Sequence, residues 1–136
     1  MTLRYAAALA VLASVAIHLT LWFQGMRSVH VIGPAFLLNA LGGMVIAVLL
    51  ARWRHPGAGA LAACFGMATL GAFTLASTIG LFGDHESWEG FSVFAAAAVE
   101  ILAVLLGLAI MLEDPAIEPA PATPQPTSRV KRSERA

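Results

Sequence analysis

The sequence predicts an all-α protein: a four-helix transmembrane bundle with both termini cytoplasmic and a disordered, Pro-rich, basic C-terminal tail. Three observations predict it. Hydrophobic residues make up 59% of the chain and charged residues 12%, with a mean hydropathy of +0.80. A soluble domain carries roughly 25% charged residues, so this chain has too little polar surface to cover a water-facing globule. The apolar residues fall into four runs, about residues 5–23, 31–51, 58–82 and 88–112, each near the roughly 20 residues that a membrane-crossing helix needs. Finally, the basic residues are distributed unevenly between the two sides that four spans define.

The first run, residues 5–23, follows Arg4, and Ser14-Val15-Ala16 resembles a leader cleavage site. Leader apolar regions extend only about 7–15 residues. This run continues through Trp22-Phe23, so it is read as a retained helix. The second run carries Pro34 in its first turn, where a missing N–H costs nothing. Arg52 to Gly57 ends it, with Pro56-Gly57 as the turn. Gly83 to Ser87 separates the third run from the fourth, and Asp84 or Ser87 is placed to cap the last helix. Residues 1–114 form the membrane domain on this reading. Residues 115–136 form a tail in which Pro alternates with Ala, Thr, Glu and Gln, a composition that buries no core.

Lys and Arg favour cytoplasmic segments. Four spans put Arg4, Arg52, Arg54, Arg129, Lys131, Arg132 and Arg135 on one side, against Arg27 with Asp84, Glu86 and Glu89 on the other. The basic side is therefore expected in the cytoplasm. Tyr5 and Trp53 then lie at the inner interface and Trp22 and Trp88 at the outer one, where such rings prefer to sit. The tail residues Arg129, Lys131, Arg132 and Arg135 are candidates for contact with anionic lipid. The alternative is an unstructured solubilising end.

Helices in a bilayer associate through small residues that allow close backbone approach. Stripes at i, i+4 spacing run along the first helix (Ala6, Ala10, Ser14, His18) and the second (Ala35, Asn39, Gly43, Ala47, Ala51). The third has Ala60, Cys64, Ala68, Ala72, Ala76 and Gly80, and the fourth Ala96 and Glu100. These are the expected inward faces. Cys64, the one cysteine, is expected to be a small packing residue; alone it forms no internal disulfide.

Three intramembrane residues stand out as ligand- or proton-binding candidates. Glu100 is about 12 residues, roughly 18 Å, from the outer end of its helix. An acidic or basic group at that depth costs about 2.5 to 3.5 kcal/mol on insertion scales, so it must be protonated, paired or hydrated. It reads as a proton-linked or cation-binding carboxyl, or as a neutral group locking the bundle by a hydrogen bond. His18 reads as a partner for Glu100, a haem or metal ligand, or a plain interhelical hydrogen-bonder. Asn39 would complete a site with them or serve as interhelical glue. Together these depths suggest a shallow polar pocket opening outward. Thr74, Ser77 and Thr78 are expected to bond back to their own helix.

The outer residues Asp84, His85 and Glu86 are weaker candidates for a divalent metal. Haem is a further possible cofactor, but His30, His55 and His85 all fall at interfaces or in loops, leaving no second buried axial ligand. Net charge is zero, so no field favours nucleic acid. No phosphate-binding loop, dinucleotide fingerprint, HExxH or GxSxG pattern occurs, and an enzyme is not expected.

The segments His18 to Trp22, Gly33 to Ala40 and Leu81 to Trp88 resemble small uncharacterised four-pass membrane proteins of bacteria, over roughly residues 3–112. The resemblance implies a small helical bundle and no particular activity; the expected location is a bacterial cytoplasmic (inner) membrane. The leading expectation is an accessory or structural membrane subunit that docks to other membrane proteins or to itself as a homo-oligomer. The alternatives are a proton- or cation-coupled transport component built on Glu100, His18 and Asn39, and a haem, quinone or metal-binding redox protein.

Overall fold

The computed structural model describes residues 2–79 and 91–113. Over these residues the chain is all-helical: α1 (Thr2–Gln24), a single 3-10 turn (Met26–Ser28), α2 (Ile32–Arg52), α3 (Pro56–Thr78) and α4 (Phe91–Glu113). The four helices hold 23, 21, 23 and 23 residues. At 1.5 Å per residue they reach the roughly 30 Å of a hydrocarbon core. Each is apolar enough to cross a membrane, so the chain is a membrane protein with four candidate spans.

The surface agrees with that reading. Leu9, Leu38, Leu41, Phe94, Leu105 and Leu112 all point outward and are more than half exposed. In water they would form a large apolar surface of the kind soluble monomers avoid; in lipid they are solvated. The interior is built of small residues, with Ala7, Val11, Ala58, Ala62 and Ala103 closed off completely.

The helices run around the bundle in the order α2, α1, α4, α3, so α2 and α4 stand diagonally and do not touch among the described residues. Glycine sets how closely α3 and α4 approach. A Cβ on Gly59 would lie 2.7 Å from the Gly107 carbonyl oxygen, and one on Gly107 would lie 2.5 Å from that of Gly59. Gly66 meets the Glu100 carbonyl oxygen in the same way, at 2.6 Å. This backbone-to-backbone seam runs along α4 directly to Glu100.

One end of the bundle is tied by Arg4. Its Nη1 donates to the carbonyl oxygens of Trp53 (2.9 Å) and His55 (3.3 Å), joining the start of α1 to the link between α2 and α3. There the His55 Nδ1 accepts from the Gly57 N–H at 3.0 Å, capping α3, and Pro56 occupies its first turn. At the other end Gly25 adopts φ +148°, a conformation that favours glycine, and turns the chain from α1 toward α2.

Two expectations need correction. The packed face of α3 is Gly59, Ala62, Ala63 and Gly66; of the expected stripe Ala76 is buried, Cys64, Ala68 and Ala72 are exposed, and Gly80 lies outside the described residues. In a helix this rich in Ala and Gly, several faces carry small residues at helical spacing. The face that wins is the one where glycine permits backbone contact with Gly107. Cys64 is consequently not a packing residue. α3 is described to Thr78, where the Ile79 N–H donates to the Leu75 carbonyl; residues 80–82 of the expected third run lie outside the described residues. The hydroxyls of Thr74, Ser77 and Thr78 bond back to Leu70 and Thr74 carbonyls, as expected, and such bonds compete with helix continuation. The expected stripes on α1 and α4 do face inward. On α2 only Gly43 and Ala47 are fully buried, with Asn39 half-buried and Ala35 and Ala51 exposed.

Candidate functional site

α1 delivers two polar side chains to the interior, one turn apart. Ser14 is fully closed off and His18 is 7% exposed. Their i, i+4 spacing puts both on the face that packs against α4. From α4 comes Glu100, 2% exposed, whose backbone is held against Gly66 by the α3–α4 seam. The three groups meet. His18 Nε2 lies 3.6 Å from Glu100 Oε1, and the Ser14 hydroxyl donates to the same oxygen over 3.5 Å.

The ring of His18 is oriented by its own helix. Its Nδ1 lies 2.8 Å from the Ser14 carbonyl oxygen, and 3.3 Å from the Ser14 hydroxyl. A carbonyl only accepts, so Nδ1 carries the proton. In a neutral ring Nε2 is then a bare acceptor facing a carboxyl oxygen. Two acceptors at 3.6 Å repel unless a proton belongs to one of them. The geometry therefore suits a pair that holds one proton between imidazole and carboxyl, as neutral acid beside neutral ring or as carboxylate beside imidazolium.

This pair forms one wall of a cavity of about 300 Å³. The walls are mostly apolar, and the His18 ring leans on Phe36 of α2 at 5.1 Å between centroids. Asn39, also from α2, lines the same space. Its Oδ1 accepts from the Thr69 hydroxyl at 3.2 Å, while its Nδ2 is buried without a partner. The Thr69 hydroxyl also lies 2.9 Å from the Phe65 carbonyl. It has one hydrogen for two acceptors, so one end of the Asn39 amide stays unsatisfied in either orientation. An unpaired buried amide costs about 1–3 kcal/mol.

The cavity has a floor and a side opening. α2 and α3 close together where Phe65 packs on Gly43 and Thr69 meets Asn39. Toward the Gly25 end they part. There Ala35 of α2 and Ala68 and Ala72 of α3 line the cavity and are exposed at the same time. The opening thus faces sideways, between two apolar helices, where the bilayer lies.

The structure brings Glu100, His18 and Asn39 to one cavity. Thr69 lines the same cavity, and Ser14 sits behind it, bonded to Glu100; the sequence alone assigned neither a role in a site. Ser14 was legible as the residue one turn before His18. Thr69 carried no comparable signal, being one of several hydroxyls on α3. Among the described residues no group of three or more His, Cys, Asp or Glu is placed to hold a metal ion. His30 is exposed and His55 lies in the linkage at the Arg4 end; neither lines the cavity beside His18. The outer-loop candidates Asp84, His85 and Glu86 and the tail candidates Arg129, Lys131, Arg132 and Arg135 lie outside the described residues. The chain matches no protein-family model, no curated protein and no solved structure.

Proposed function

We propose that this chain is a proton-linked membrane component that binds a small molecule in its intramembrane cavity and exchanges a proton at the His18–Glu100 pair as the cavity fills and empties. The observation that carries this reading is that His18, Asn39 and Glu100, from three different helices, line one cavity. Groups needed only as glue would be expected to satisfy one another, yet the Asn39 amide is left with an unpaired end. Transport would be the physiological outcome, with the chain working beside another membrane protein or a second copy of itself, since four helices are few for a complete pathway. The basic residues favour both termini in the cytoplasm of a bacterial inner membrane.

A second reading rests on a different observation. Ser14 and His18 both engage Glu100, which pins α1 to α4 and would serve an accessory subunit equally well. Infrared titration of the purified protein in lipid separates the two, with Glu100→Gln as the assignment control. The transport reading expects a Glu100 carboxyl band that appears and disappears with pH and changes when His18 becomes Leu. A band that never changes while the protein stays folded, with Glu100→Gln as stable as the parent, would leave the structural role.

A further inference from the structure

We infer that the cavity takes a lipid-dissolved ring bearing oxygen on two opposite edges, the chemistry of a quinone or its quinol, admitted sideways between α2 and α3. The inference rests on the proposed reading of the cavity as a ligand site and adds the class of ligand.

Four features of the cavity converge on that class. The polar groups sit on opposed walls: Asn39 on α2, and Glu100 on α4, which stands diagonally across the bundle. A ligand satisfying both must present polar atoms on two sides of a compact body. Between them the walls are apolar and include the rings of Phe36 and Phe73, which suit the face of a flat ring. A volume of about 300 Å³ holds one substituted six-membered ring and leaves no room for a large polycyclic cofactor. Finally, the exposed small side chains of Ala35, Ala68 and Ala72 leave a gap toward lipid through which an apolar tail can trail.

The hydrogen-bonding chemistry fits both forms of such a ring. With Thr69 donating to Oδ1, Asn39 Nδ2 has no partner and is closed off; turning the side chain toward the cavity lets it donate to a carbonyl oxygen. With the amide turned over, Nδ2 donates to the Thr69 hydroxyl, and Oδ1 is free to accept from a phenolic O–H. On the other wall, the proton held between His18 and Glu100 can be offered to a carbonyl, and its carboxyl can accept from a hydroxyl. An acyl chain would fill the space but leave Asn39 unpaired. No electron transfer is invoked; the inference concerns binding.

The test is equilibrium binding of decylubiquinone to the full chain in lipid nanodiscs, followed by quenching of tryptophan fluorescence. Decylbenzene, with the same tail and an unoxygenated ring, is the competitor. Saturable binding that decylbenzene displaces poorly is expected. Asn39→Leu should weaken binding by about three- to tenfold, the worth of one hydrogen bond. Ala72→Phe, at an exposed position in the side opening, should abolish it without altering thermal stability. Equal affinity for decylbenzene, or unchanged affinity in both variants, would overturn the assignment. These outcomes are independent of the infrared titration: a Glu100 that titrates in a protein blind to decylubiquinone keeps the proton-linked reading and removes the quinone. A quinone bound beside an untitratable Glu100 does the reverse.

Discussion

His18 Nε2 faces Glu100 Oε1 across 3.6 Å between α1 and α4, while the Ser14 carbonyl occupies the other ring nitrogen of the same histidine. That arrangement fixes which tautomer the ring holds and leaves a single proton to be shared between two otherwise repelling acceptors. It also makes the two residues energetically interdependent. A double-mutant cycle of His18→Leu and Glu100→Gln, read by unfolding in detergent, should show a coupling energy of about 0.6 kcal/mol and not above about 1.7, the range of interhelical polar pairs in membranes. Additive effects would mean that the pair is adjacent without interacting.

The α3–α4 seam predicts a sharp contrast among glycines. Gly107→Ala and Gly59→Ala would each press a methyl into a facing carbonyl at 2.5–2.7 Å, with backbone and not a flexible side chain in the way. Each should destabilise the bundle by about 1–3 kcal/mol, as overpacking does. Gly42 and Gly71 have nothing within 4 Å of an added Cβ. Alanine there should be neutral or stabilising by up to about 1 kcal/mol, because it costs less backbone entropy in a helix. Reversible unfolding of the four variants checks both halves.

How far the sequence reveals this arrangement depends on the kind of signal each part carries. The four spans are visible because lipid demands long apolar runs, and that demand is written into every residue of each run. His18 and Glu100 are visible because a polar group inside such a run is costly and therefore conspicuous. The α3 face is different. Ala60, Cys64, Ala68 and Ala72 have the same small volumes as Gly59, Ala62, Ala63 and Gly66, so spacing alone does not choose between them. The choice is made by Gly107 on another helix, a long-range pairing that no local pattern carries. Thr69 is hidden for a related reason, since its importance lies wholly in being opposite Asn39.

The orientation of α3 can be tested through Cys64, which faces outward at the ninth residue of the helix. A membrane-soluble maleimide should label it in the folded protein, whereas a charged maleimide should reach it only after unfolding in denaturant. Cys64→Ala should change stability by less than about 0.5 kcal/mol, as expected of a surface substitution. Protection of Cys64 from the lipid-soluble reagent in the monomeric folded protein would place α3 about its axis differently from the structure.

Arg4 offers a last test, of how the loop end of the bundle is held. Its guanidinium satisfies two carbonyls, those of Trp53 and His55, at the junction where α2 ends and α3 begins. Trp53 and His55 also stack, with ring centroids 4.9 Å apart and 13° between planes, so the junction is a small ordered unit clamped from α1. Both bonds come from the single nitrogen Nη1; lysine also carries several donors on one nitrogen, but on a more strongly hydrated ammonium that gives up less water to hold two carbonyls. Arg4→Lys should therefore recover only part of what Arg4→Ala loses, a loss of about 1–2 kcal/mol for charge-assisted bonds at an exposed site. Hydrogen exchange would localise it: faster exchange at the Gly57 and Ala58 amides, with the Ser14–His18–Glu100 region unchanged. Because the clamp and the cavity lie at different depths of the bundle, loss of protection at both together would show that α1 moves as one lever between them.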